Sequence, residues 1–197
     1  MSARRWASCS LMPARRDTIP WGGPVMRVLT IALVTLLSGL PVFAAETYVR
    51  TTVDKDSQLR IVTAGGQTIA PKKDVEQVGF GKPQISPDGV AVGWLAEYRK
   101  CCTSYPIPMK LMIHSNGSVR TYTGSGLPIW RWGFQAGGAQ VAFEQETVHG
   151  GLNVHYELHD VATGRLLAEY DPVVGPDKRS LPKQKVPTWV AELDGNQ

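Results

Sequence analysis

The chain has 197 residues, a hydrophobic fraction of 43%, 20 glycines and 14 prolines, which suits a single globular domain rich in turns. Its formal charge of +4 does not mark a nucleic-acid binder, because residues 1–44 hold five arginines against one aspartate, while residues 45–197 balance sixteen basic with sixteen acidic side chains. Nor does that remainder contain a run of five like charges, so it offers no footprint for a polyanion.

Residues 1–25 fit no leader: the Arg4-Arg5 pair stands too far ahead of the first apolar run for a twin-arginine signal. They are expected to be an upstream extension, with Met26 as the true start. From Met26-Arg27 the chain reads as a secretory signal. Val28 to Leu37 is uncharged and mostly apolar, Ser38-Gly39-Leu40-Pro41 breaks the run, and Val42-Phe43-Ala44 supplies the small-x-small end. Cleavage is expected after Ala44, which predicts a periplasmic or secreted protein with no membrane segment once the signal is removed. The apolar run is short for a membrane span.

Beyond residue 45 the pattern is of short alternating runs between turn residues, with no sustained helical period. Gln58 to Thr63 alternates and Ala64-Gly65-Gly66-Gln67 turns. Pro87-Asp88-Gly89 is a strong turn signal, because proline presets one dihedral and glycine accepts a positive one. Val90 to Ala96 and Lys110 to His114 read as strands. Asn116-Gly117 predicts a tight hairpin returning through Ser118 to Tyr122. The pattern then repeats, with strands at Ile129–Phe134, Gln140–Glu144, Asn153–Asp160 and Arg165–Tyr170. Turn glycines 89 and 138 lie 49 residues apart, and hairpin glycines 117 and 164 lie 47 apart. Four short strands per repeat of that length are the mark of blade-like sheets. Residues 171–187 read as a surface loop rich in proline and lysine, and Thr188 to Leu193 as a last strand covering a sheet edge.

The run Gln84-Ile85-Ser86-Pro87-Asp88-Gly89-Val90-Ala91-Val92-Gly93-Trp94 resembles the blade motif of periplasmic propellers of the Tol-system type. Glu157 to Leu167 is similar to the end of a WD-type blade. Together these segments span about residues 82–172, and the resemblance implies architecture and little else. Residues 45–81 hold at most half a blade, and a closed propeller needs at least four. The expected fold is therefore all-β and antiparallel, built of four-stranded blade-like repeats as an incomplete propeller or a small sandwich.

Three groups of residues carry chemical interest. Cys101 and Cys102 are adjacent, and their Cα atoms lie about 3.8 Å apart across a trans peptide, below the usual disulfide range. A vicinal disulfide here would be strained. The pair either forms that bond, pins the Cys101–Pro108 loop, or bridges to another chain. His155, Glu157 and His159 share a strand face by the two-residue period, with His149 just upstream. Two histidines and a carboxylate are a zinc-type set, so His149, His155 and His159 are candidate metal ligands, although an ordinary solvated strand face explains the pattern as well. Trp130, Trp132 and Phe134 also share a face; Trp130 and Trp132 are candidates for a binding surface, with core between sheets as the competing reading. Glu144 and Glu146 are read as an exposed pair.

Phosphate-loop, dinucleotide and nucleophile-elbow motifs are absent from the sequence, so no catalytic residue and no cofactor is assigned. The expected function is an exported, non-enzymatic binding or interaction module of the bacterial cell envelope, with a protein partner or a second copy of itself. The alternative is a periplasmic metal- or small-ligand-binding protein.

Overall fold

Alternation becomes strand wherever a turn signal releases it. The computed structural model describes residues 46–100, 103–150, 154–173 and 185–195, all within the unit Val42–Gln197. The leader and upstream extension expected over residues 1–44 lie outside the described residues, as do Cys101 and Cys102.

Among the described residues, eleven strands form three antiparallel sheets, each a meander of sequential neighbours. The first sheet holds β1 (Tyr48–Val53), β2 (Leu59–Thr63) and β3 (Thr68–Ile69) in that order. The second holds β4 (Gln77–Ile85), β5 (Ala91–Tyr98), β6 (Ile107–Ser115) and β7 (Ser118–Tyr122). The third holds β8 (Ile129–Gln135), β9 (Gln140–Gln145), β10 (His155–Asp160) and β11 (Leu166–Tyr170). No sheet closes into a barrel, and the all-β, blade-like class read from the sequence is the one observed. The Asn116-Gly117 hairpin is present as expected, with both residues at positive φ (48° and 71°) and Ser115 paired to Ser118. That is the turn whose twist matches the flanking strands.

The sheets stack face to face. Tyr48, Leu59 and Ile61 of the first sheet meet Phe80, Val92 and Trp94 of the second. Leu95, Leu111 and Ile113 of the second meet Trp132, Val141 and Phe143 of the third. Period-two alternation explains how one strand serves two interfaces: Val92 and Trp94 of β5 point to the first sheet, Ala91 and Leu95 to the third. Ala91 to Ala96 is therefore buried throughout, as expected for a strand covered on both faces. At Gly93 an added Cβ would lie 2.4 Å from the Trp132 ring and 2.6 Å from Ile113. The bare backbone is what lets that tryptophan in.

Equivalent parts of the two four-stranded sheets lock together. Lys82 Nζ donates to the Trp130 carbonyl (2.8 Å), Gln84 Nε2 to the Trp132 carbonyl (3.3 Å), and Trp132 Nε1 back to the Lys82 carbonyl (3.2 Å). The two turns that the sequence aligned also touch, since the Asp88 carboxylate sits 2.7 Å from the place a Cβ on Gly138 would take.

The last segment corrects the sequence reading. Thr188–Gly195 is not an edge strand but a helix, α1. Thr188, Trp189 and Val190 favour strands intrinsically, but tertiary burial overrides that preference. The Pro187 carbonyl accepts from the Val190 and Ala191 amides (3.1 and 3.2 Å), which starts the helical turn. Val190 and Leu193, three residues apart on one face, then bury at 2% and 3% exposure against Ala142, Tyr156 and Leu158. The helix thus covers the face of the third sheet that points away from the second.

Candidate functional site

Alternation in β10 sends Tyr156 and Leu158 toward α1, and Glu157 and His159 toward the second sheet. The polar face of β10 is therefore not a solvated one. Glu157 and His159 are only 7% and 9% exposed, because the neighbouring sheet lies over them. His159 stacks on Phe143 at 5.4 Å with an 11° tilt and meets Tyr122 edge-on at 4.9 Å.

Burial of that kind demands hydrogen bonds. Both nitrogens of His159 face acceptors: Nε2 lies 2.6 Å from Glu157 Oε2, and Nδ1 lies 3.2 Å from the Gly164 carbonyl. Gln145, fully buried, donates to Glu157 Oε1 (3.0 Å). Its own Oε1 accepts from the Ser125 amide (2.8 Å) and hydroxyl (3.2 Å). Burial works against the charge on Glu157, but the bonds from His159 and Gln145 outweigh it and hold the carboxyl below its usual range. His155 extends the chain outward, with Nε2 3.3 Å from Glu157 Oε1 and Nδ1 2.6 Å from Asp171 Oδ1. For His155 partial burial disfavours the charged form, yet Asp171, Glu157 and Glu169 together push its pKa up.

This row spends its donors and acceptors on one another within the third sheet. His155 and His159 lie on it, whereas His149 sits in the exposed turn after β9 and joins no contact with them that the structure shows. Among the described residues no group of three histidine, cysteine or acidic side chains is placed to hold a metal ion. Gln145, which joins the row from β9, was not singled out in the sequence, and no motif there announces it.

The aromatic pair separates. Trp132 is 4% exposed and packs on Phe134 at 5.4 Å, so it belongs to the core and not to a binding surface. Trp130 falls at an irregularity in the β8–β9 pairing between Ile129 and Arg131, stays half-buried, and donates its ring N–H to the Glu146 carbonyl (3.1 Å). Glu144 is likewise not exposed. It is 3% exposed beneath α1. Burial pushes its carboxyl up, against the pull of its ion-pair partner Arg131. Arg131 reaches Asp194 of the helix as well (2.8 Å). Glu144 Oε2 has no aligned hydrogen bond, so the charge of Arg131 is what compensates it.

Two hollows remain. One of about 350 Å³ is lined by Arg99, Lys100, Thr103, Ser104, Tyr105 and Pro106 of the β5–β6 loop. Another of about 190 Å³ lies between β4 and β8, lined by Gln84, Ile85, Pro87, Trp132, Gly133 and Phe134.

The clearest structural inequality is at the first sheet. Its residues Leu59 and Ile61 are fully buried, but β1, at the edge of the sheet, leaves Val49 57% and Val53 40% exposed.

The chain matches no protein-family model. No curated protein matches it. Among solved structures it is similar to a chain of Kuenenia stuttgartiensis hydrazine synthase, at 22% identity and a TM-score of 0.40 over 68% of this chain. It spans 38% of that chain, well under half its length, and so loose a likeness transfers neither a site nor a reaction.

Proposed function

We propose that this chain is an exported binding module of the cell envelope, with a protein as its partner. The observation that carries the reading is the exposed edge strand of the first sheet, set against a third sheet whose outer face is covered. Helix α1 seals the third sheet with Val190 and Leu193, while the first sheet ends in β1 with two exposed valines. Exposed strand edges are recognition surfaces as well as liabilities. The polar groups that looked chemically active in the sequence support the same reading, since Glu157 and His159 are committed to a buried hydrogen-bond row with Gln145 inside the third sheet. Export is supported by the charged, apolar and small-residue series from Met26 to Ala44.

The test is chemical crosslinking in intact cells that express the chain from Met26, followed by mass spectrometry of the envelope fraction. The expected result is one protein recovered repeatedly and absent from controls with an unrelated exported protein. An exported chain that gives only self-crosslinks, or none, would overturn the reading.

A further inference from the structure

The residue pair that makes the β6–β7 turn also makes it chemically weak. The side-chain amide of an asparagine is an acyl group that the main-chain nitrogen of the next residue can reach, closing a five-membered imide. Glycine in that next place puts no side chain in the way. Asn116 is the one asparagine of this chain followed by glycine, since Asn153 precedes a valine and Asn196 a glutamine.

The fold leaves both reacting groups unprotected. Asn116 and Gly117 are exposed. The hairpin closes through Ser115 paired to Ser118, with the Ser118 hydroxyl donating to the Ser115 carbonyl (3.1 Å). Among the described residues, no hydrogen bond occupies the Asn116 side chain or the Gly117 amide. A Cβ placed on Gly117 would meet nothing within 4 Å, so the approach is open. Asp88-Gly89 is the contrast, a turn of the same build with Gly89 at a φ of 74°. There the Gly89 amide donates to the Ser86 carbonyl (2.8 Å), and Asp88 Oδ1 accepts from the Ser86 hydroxyl (2.6 Å) and the Val90 amide (3.2 Å). At Asp88 both groups are spent, whereas at Asn116 both are free.

We infer that Asn116 is a site of spontaneous deamidation, with water as the co-reactant. The Gly117 nitrogen gives its proton to a base in solvent and bonds to Asn116 Cγ. The bond from Cγ to Nδ2 breaks, and ammonia leaves with a proton returned from solvent. Water then opens the imide. Attack at Cγ breaks the new bond and leaves aspartate on an unchanged main chain. Attack at the main-chain carbonyl leaves isoaspartate, through which the main chain is one carbon longer. The two products differ in what they do to the fold. Asp-Gly suits the same primed turn. Isoaspartate lengthens a loop whose length sets the strand register, so it undoes the pairing of Ser115 with Ser118. The strand that loosens is β7, which is paired only by β6.

The test is incubation of the purified chain for several weeks in mildly alkaline and mildly acidic buffer, followed by peptide mapping with detection of isoaspartate. Loss of Asn116 is expected, faster in the alkaline buffer, with ammonia released in equal amount and both acids recovered at that position. The isoaspartyl fraction should show faster amide exchange across Ser118–Tyr122. Asn116→Gly, which keeps a primed turn, should release no ammonia from this peptide. Retention of Asn116 in the folded chain would overturn the inference, and conversion of the same chain in denaturant would assign that failure to shielding by the turn. Isomerisation at Asp88 as fast as the loss of Asn116 would also contradict it, because the free and the occupied turn would then react alike.

Discussion

Glu157 carries an ionised carboxylate into the packing between two sheets, and the consequence is a pH dependence with a definite sign. Its folded-state pKa lies below the ordinary 4.5, with burial opposed and outweighed by bonds from His159 and Gln145. A depressed carboxyl contributes stability that is full above its unfolded value and is lost as pH falls through the folded one. His155 acts in the opposite direction. Burial disfavours its charge, but Asp171, Glu157 and Glu169 raise its pKa above 6.5, so its contribution is full below that value and fades as pH rises through the folded one. Glu157→Gln is expected to cost about 2 kcal/mol at pH 6. The same variant should flatten the fall in thermal midpoint between about pH 5 and pH 3. Denaturation curves across that range decide it, and an unchanged acid slope would show that the carboxylate is not held as described.

Helix α1 shows how an element can be chosen by what it covers. Its sequence, Thr188-Trp189-Val190-Ala191-Glu192-Leu193, alternates well enough to read as a strand, and no capping side chain precedes it. What decides is the apolar face of the third sheet and the Arg131 bridge from Glu144 to Asp194. Arg131→Met leaves the Glu144 charge buried without compensation and is expected to cost about 3–5 kcal/mol. Adding Glu144→Leu should recover most of that loss, because an apolar pair removes the stranded charge. Chemical denaturation of the two variants tests the bridge, and a double variant no more stable than Arg131→Met would assign the loss to packing.

At the level of the whole molecule, the repeat was legible and its use was not. Asn116-Gly117, Pro87-Asp88-Gly89 and the near-fifty-residue offset between turns fix where strands end, because those residues meet backbone demands that others meet poorly. Local pattern also separates the two faces of each strand. It does not reveal what lies over a face. Glu157, His159 and Glu144 read as solvated polar positions, and each is buried because a neighbouring sheet or α1 arrives from more than ten residues away. Trp132 as core and Gln145 as the link to Glu157 depend on the same long-range stacking. The short first sheet was visible as too few strands between residues 45 and 81, and three strands are what the described residues form there.

The proposed role in the cell envelope requires that the chain be exported and that its signal segment be removed. The most direct measurement is the intact mass, with the N-terminal sequence, of protein recovered from the envelope of cells expressing it from Met26. A chain beginning at Ala45 is the predicted result. A chain that stays inside the cell, or one that reaches the envelope with residues 26–44 still attached, would contradict it.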